Sequence, residues 1–277
     1  MKRKLIVTGL LLCCLLTACA PESDPVITDD PKETTASTTT GNTDHQIPII
    51  IPPHFDSTVQ GGIGTVTDRY DYTEGEHTIL SVTLNLPVAH IEGNDPLQQT
   101  VSNRLNAVQD ELKQEIDRLY QQCLADYRAG REVLTTPSVQ VRFELHYFTA
   151  DALSMTYILS QTTADAMVHE HRYHSNLDLQ VGSEIRLTAL LSEGKLDGLL
   201  TLMQAKLTES APQGLYAEAA GQMQAMLDGS WYITDGNLAV LLEAGTVAPV
   251  SSGDILLTLS APQLADLLSD YGKALLK

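Results

Sequence analysis

Beyond residue 66 the apolar positions fall into two rhythms, one of period two and one near 3.6, and the changes between them mark out the elements. Residues 78–86 alternate, with Ile79, Ser81, Thr83 and Asn85 opposed to Leu80, Val82, Leu84 and Leu86. This predicts a strand with one apolar face, ended by Pro87 and Gly93. Leu97, Val101, Leu105, Val108, Leu112, Ile116, Leu119, Cys123 and Tyr127 then recur at intervals of three and four. They form one stripe on a helix over 96–127, about 48 Å long at 1.5 Å per residue. Asn94 or Asp95 can cap it, and Pro96 suits a first turn where no N–H is needed. Because strands follow, the helix is expected to lie across a sheet, with Cys123 as a small buried hydrophobe.

Period two returns over 139–148, with Val139, Val141, Phe143, Leu145 and Tyr147 on one face. It continues over 152–160, through Leu153, Met155, Tyr157 and Leu159, and over the more polar 167–179. Ala150 and Asp151 fit a tight turn between the first two strands. Further on, Ser192 is placed to cap a helix carrying Leu196, Leu199, Leu200, Met203 and Leu207, and a second helix is expected over 215–227. Residues 231–234 and 238–242 flank Asp235-Gly236-Asn237, which predicts a hairpin. A strand over 255–259 and a last helix opened by Pro262 complete the pattern. Strands grouped with helices, without regular βαβ alternation, predict an α+β fold with an antiparallel sheet, a long packed helix and a C-terminal helix–hairpin–strand–helix segment.

The first sixty residues have neither rhythm. Lys2, Arg3 and Lys4 precede fourteen apolar or small residues, short of the about 20 that span a bilayer. This is the layout of a secretory signal. Leu16-Thr17-Ala18-Cys19 resembles the bacterial lipobox, which implies cleavage between Ala18 and Cys19 and a diacylglycerol on the Cys19 thiol. Residues 19–60 are poor in apolar groups and read as a lipidated tether. Only 47–53, Ile-Pro-Ile-Ile-Ile-Pro-Pro, breaks its polarity, either as an extended segment packed on the domain or as a stiff spacer. The expected organisation is therefore a signal over 1–18, a tether over 19–60, an α+β part over 61–165 and a second over 166–277. Gly61-Gly62-Ile63-Gly64 is expected to be a hinge.

Charge adds a constraint on partners. The chain carries 17 basic and 35 acidic side chains, a net of -18, and loss of the basic leader takes this to about -21. Such a surface repels nucleic acid and anionic polymers and steers cationic partners inward. After cleavage Cys123 has no intrachain partner, so no disulfide framework is expected despite the oxidising location.

Two stretches carry a family resemblance. Residues 176–191, Asn-Leu-Asp-Leu-Gln-Val-Gly-Ser-Glu-Ile-Arg-Leu-Thr-Ala-Leu-Leu, are similar to the "n-x-D-l-x-x-G-x-x-l-x-L-x-d-l-f" segment of the RsiV-type extracellular domain. Residues 231–268 follow the same domain's order of aromatic strand, turn, apolar strand, Val247-Ala248-Pro249, Gly253, strand and leucine-rich helix. That domain occurs in lysozyme-sensing anti-sigma factors, in the front halves of some peptidoglycan deacetylases and in many bacterial lipoproteins. The resemblance implies an extracytoplasmic binding or sensing domain and, as a partner, a cationic envelope protein such as lysozyme. One departure stands out: where the family commonly has a Gly-Gly-Ala-His turn, this chain has Ala164-Asp165-Ala166-Met167.

No catalytic constellation is evident. His169 and His171 share a strand face and His146 could approach them, a weak set of zinc ligands, with His174 expected on the opposite face. Asp165, Glu170, Asp178 and Glu184 offer carboxylates, but among 35 acids such pairings arise by chance. Ser251-Ser252-Gly253-Asp254 is not a nucleophile elbow. Trp231, the single tryptophan, is expected in the core. No cofactor is expected. The leading expectation is a membrane-anchored lipoprotein with a non-catalytic binding domain. An envelope hydrolase or metal-dependent enzyme and a structural scaffold lipoprotein are the alternatives.

Overall fold

The structure is a computed structural model, and it describes residues 49–50, 54–55, 61–210 and 214–276. The leader, Cys19 and most of the tether lie outside the described residues. β1 (Ile49–Ile50), β2 (His54–Phe55), β3 (Gly61–Glu74) and β4 (His77–Ile91) precede the long helix α1 (Asp95–Arg128). After it come β5 (Ser138–Phe148), β6 (Ala152–Thr162), β7 (Val168–Asp178) and β8 (Ser183–Glu184), then α2 (Leu196–Ser210) and α3 (Ala219–Met226). β9 (Trp231–Thr234), β10 (Asn237–Leu242), β11 (Ile255–Ser260), α4 (Ala261–Leu264) and α5 (Asp270–Leu275) complete the chain.

Eight strands form one sheet in the order β1-β3-β4-β5-β6-β7-β8, with β2 also paired to β5, and β11-β10-β9 form a second, antiparallel sheet. The fold is α+β, as the pattern predicts. The large sheet is mixed, however, because β4 and β5 are parallel over Ser81–Leu84 and Ser138–Val141. The reason is α1: a helix of this length carries the chain back along the sheet, so β5 starts from the same end as β4.

The periodic stripe explains how α1 packs. Leu97, Val101, Leu105, Val108, Leu112, Ile116 and Leu119 are buried against Leu80, Val82, Val139, Val141, Met155, Tyr157 and Leu159 in one core. Asn94 Oδ1 accepts the Leu97 N–H at the start of the helix, with Pro96 in the first turn. Tyr120 and Leu124 are buried as well, while Cys123 and Tyr127 are only half-buried. A second core joins Leu199, Met203, Leu207, Trp231, Ile233, Leu257, Leu264 and Leu268. β9 crosses the opposite face of the large sheet, so β6 is buried at every residue from 152 to 159. The expected division at 165/166 falls in the β6–β7 turn, between two paired strands of the same sheet.

Several local expectations are corrected. Gly61 to Gly64 is not a hinge: all four residues pair with β4, and a Cβ on Gly61 would meet His90 O at 1.8 Å. Pro87 does not end its strand, because it lies past the last β4–β5 pair, where a missing donor is tolerated. Tyr147 leaves the face of Val139 and Val141 for the second core, since an irregularity at His146 inserts one residue and reverses the alternation. Ser192 caps no helix; its hydroxyl donates to Leu268 O. The last helix is split in two, with Ser269 capping α5 through the Gly272 N–H. The segment 47–53 is stitched to the domain at Ile49 and Ile50, which pair with Gly64 and Ile63 of β3.

Candidate binding cleft

α1 ends in a Schellman turn: Gly130, at φ 68°, donates to Tyr127 O, and Arg131 donates to Asp126 O. The turn folds the next loop back beside the helix, and Arg131 then pairs with the Asp126 carboxylate at 3.1 Å. The loop is held from its other side by Ala164 O, which accepts from Leu134 N at 2.8 Å and Thr135 N at 3.2 Å. Ala164 belongs to the β6–β7 turn, where Thr163 donates to Asp165 Oδ1 and Ala166 adopts a left-handed φ of 63°. That hydroxyl holds the Asp165 carboxyl below its ordinary range.

Between these segments and the β3–β4 turn lies a cavity of about 640 Å³. Ile79, Cys123, Tyr127, Val133 and Pro137 supply apolar surface. Glu76, Asp126, Glu132 and Asp165 supply four carboxylates against the single guanidinium of Arg131. The His77 ring sits 5.6 Å from that of Tyr127. Burial, helped by the Asp126 charge, raises the pKa of the Cys123 thiol, which disfavours the reactive thiolate. The arrangement can accept a positively charged ligand with an apolar body; it presents no nucleophile paired with a base.

The histidines are distributed differently from the expected trio. His169 and His171 pair with Gln161 and Leu159 of β6 and so share the face that α1 covers; the His171 charge acts on Glu115 of α1. His146 lies on the opposite face, where its Nε2 is 2.8 Å from Thr156 Oγ1. His174 Nδ1 is 2.7 Å from the same hydroxyl, and the Tyr232 ring stacks on both imidazoles, at 4.0 and 5.3 Å. Burial lowers both histidine pKa values to about 4, and for His174 the neighbouring His146 and Arg172 add to it. The sheet thus separates His146 from His169 and His171. Among the described residues no group of three or more His, Cys, Asp or Glu is placed to hold a metal ion.

The carboxylates are likewise dispersed. Asp165 lies in the turn before β7 and Asp178 is its last residue, so the length of the eleven-residue strand, about 33 Å at 3.3 Å per residue, lies between them. Glu170 lies in a surface ion-pair network with Arg142 and Arg172, and Arg172 also pairs with Asp254 at 3.0 Å. Asp178 and Glu184 both line a smaller cavity of about 330 Å³. There Asp178 is already engaged: one oxygen accepts from Gln180 N and Val181 N, the other from the Tyr271 hydroxyl at 2.7 Å.

Several residues in the stretches that carry the resemblance hold the fold together. Asn176 accepts from Ser154 and donates to Trp231 O, and Ser154 accepts the Ile233 N–H, so the pair satisfies the edge of β9 where it crosses the sheet. Gly182, at φ 68°, closes the turn that Asp178 holds. Trp231 is buried, as expected. The cleft, by contrast, was not visible in the sequence, because four separated segments build it. The one local signal was Gly130 following the long stripe, a helix stop with a polar loop behind it.

No family model and no curated protein matches the sequence. Two crystal structures of DUF3298 family proteins are similar to it in fold. One, from Bacteroides fragilis, has 11% sequence identity and a TM-score of 0.60, covering 80% of this chain and 99% of its own. The other, from Pseudomonas aeruginosa PAO1, has 13% identity and a TM-score of 0.51, covering 76% of this chain and 95% of its own. The likeness establishes a shared α+β fold over most of the described residues.

Proposed function

We propose that this chain is a cell-envelope lipoprotein whose α+β domain is a non-catalytic binding or sensing module of the RsiV type. On this reading residues 1–18 are removed as a signal peptide. Cys19 carries diacylglycerol and palmitate, and the domain stands on the extracytoplasmic face of the membrane. The lipobox at Leu16-Thr17-Ala18-Cys19 supports the anchoring, since stable attachment takes more than one acyl chain and diacylation provides two. The order of motifs over 176–191 and 231–268, together with the fold shared with DUF3298 proteins, supports the domain type.

One observation carries the binding role: a cleft of about 640 Å³ whose carboxylates outnumber its guanidinium four to one, in a chain of net charge -18. Such a site favours a cationic partner, for which an envelope protein such as lysozyme is the model. Two measurements test the reading. Metabolic labelling with palmitate should mark the wild-type protein and leave Cys19→Ala unmarked and released from the membrane. The purified protein should bind lysozyme at low ionic strength, with affinity falling steeply as salt is added. An unlabelled protein retaining its leader ends the lipoprotein reading, and undetectable binding at low salt ends the cationic-protein reading.

A further inference from the structure

We propose that the cleft at the end of α1 is a site for a small amphipathic organic cation, an ammonium or guanidinium group joined to an apolar body. The proposal rests on the binding role above and deepens it. Its first support is the charge that the protein leaves uncompensated. Asp126 is answered by Arg131 at 3.1 Å, but Glu76 and Glu132 have no cationic partner among the described residues. An anion entering the cleft is repelled, a neutral molecule gains only the apolar wall, and a cation gains from both.

The second support is the apolar wall, which is independent of charge. Val133 lines the cleft while 50% exposed, and Leu134 beside it is 67% exposed. Val133 joins Ile79 and Pro137 in an apolar wall that the apolar body of a ligand can cover. Tyr127 adds an aromatic face within the same cavity, suited to a cation as well as to an apolar ring. The cavity volume falls within the range of roughly 300–1,000 Å³ usual for small-molecule sites.

The third support is preorganisation. The Schellman turn at Gly130 fixes the loop at its start, and the bonds from Leu134 N and Thr135 N to Ala164 O fix it further along. The wall therefore exists before a ligand arrives, and little ordering is needed on binding.

Cys123, half-buried in the wall, supplies a built-in reporter. The test uses the purified protein at low salt, with phenethylamine as the probe and 2-phenylethanol as its uncharged counterpart. Phenethylamine should slow alkylation of Cys123 by a maleimide saturably, by at least about fivefold, and 2-phenylethanol should not. The double variant Glu76→Gln/Glu132→Gln changes only exposed side chains and should keep the wild-type circular dichroism spectrum. Its affinity for phenethylamine, measured calorimetrically, should fall at least about tenfold. The assignment is overturned by no saturable protection at about 10 mM amine, by equal protection from the alcohol, or by undiminished affinity in the double variant. Failure here with lysozyme binding intact removes the cleft assignment alone; protection by the amine without lysozyme binding removes the cationic-protein reading alone.

Discussion

Thr156 has a single hydroxyl proton and a histidine nitrogen on either side, so its Oγ1 donates to one ring, whose nitrogen must be unprotonated, and accepts an N–H from the other, an arrangement that two neutral imidazoles satisfy. Burial favours that neutral state and lowers both pKa values to about 4, from an ordinary 6.5. Above pH 6.5 the rings are neutral in both the folded and the unfolded chain and contribute no pH dependence. As pH falls from 6.5 towards 4, the unfolded chain takes up two protons that the folded protein refuses, so stability falls, by at most about 3 kcal/mol per pH unit. Gln in place of His146 reproduces the position of Nε2, and Asn in place of His174 that of Nδ1. Urea titrations should therefore show His146→Gln/His174→Asn losing less stability than wild type between pH 6.5 and 4.5. Equal losses would mean that these rings do not resist protonation. Sequence alone placed His174 opposite His169 and His171, since alternation within one strand is enough for that. It did not pair His174 with His146, because the register between β5, β6 and β7 is a long-range property that no local pattern encodes.

At the scale of elements, docking of β9 depends on two buried polar residues. Ser154 is 0% and Asn176 4% exposed, and together they satisfy the Ile233 N–H and Trp231 O at an unpaired strand edge. Ser154→Ala leaves the Ile233 donor and one Asn176 acceptor unpaired in the interior, which should cost about 2–4 kcal/mol. A loss below about 0.5 kcal/mol in equilibrium denaturation would show that the edge finds other partners. The elements themselves were largely legible. The stripe from Leu97 predicted α1 almost to its ends because nine apolar positions kept one phase, and Asp235-Gly236 predicted the β9–β10 turn because both residues must adopt positive φ, observed at 42° and 70°. Elements were misjudged where tertiary contacts override local pattern. The leucines of 264–275 keep a helical spacing across Ser269, yet the chain breaks there so that Gly272 can lie against Leu190 O, within 2.1 Å of where a Cβ would sit.

At the scale of the molecule, the two cores occupy opposite faces of shared strands. Leu153, Met155, Tyr157 and Leu159 of β6 belong to the α1 core, while Ala152 belongs to the other, and Tyr147 and Phe148 of β5 divide in the same way. Neither core can lose its strands without exposing the other, which predicts one cooperative transition. The single Trp231 reports on the second core, and α1 dominates the far-ultraviolet circular dichroism of the first. Tryptophan fluorescence and circular dichroism should therefore give coincident midpoints in urea, and separated midpoints would show that the cores unfold independently. The α+β class was readable from the grouping of strands and helices. The cleft was not, because Glu76, Tyr127, Val133 and Asp165 become neighbours only after the sheet, helix and loop are in place.

The length of the first hairpin has a consequence for how the protein meets its surroundings. Ile49 and Ile50 join the sheet beside Ile63 and Gly64, whereas the cleft opens at the far end of the same hairpin, by Glu76 and His77. About ten residues of β3 separate the two, some 33 Å at 3.3 Å per residue. On the lipoprotein reading proposed above, the strand pair that first ties the chain to the sheet and the mouth of the cleft would stand at opposite ends of one hairpin, leaving the mouth clear of that seam.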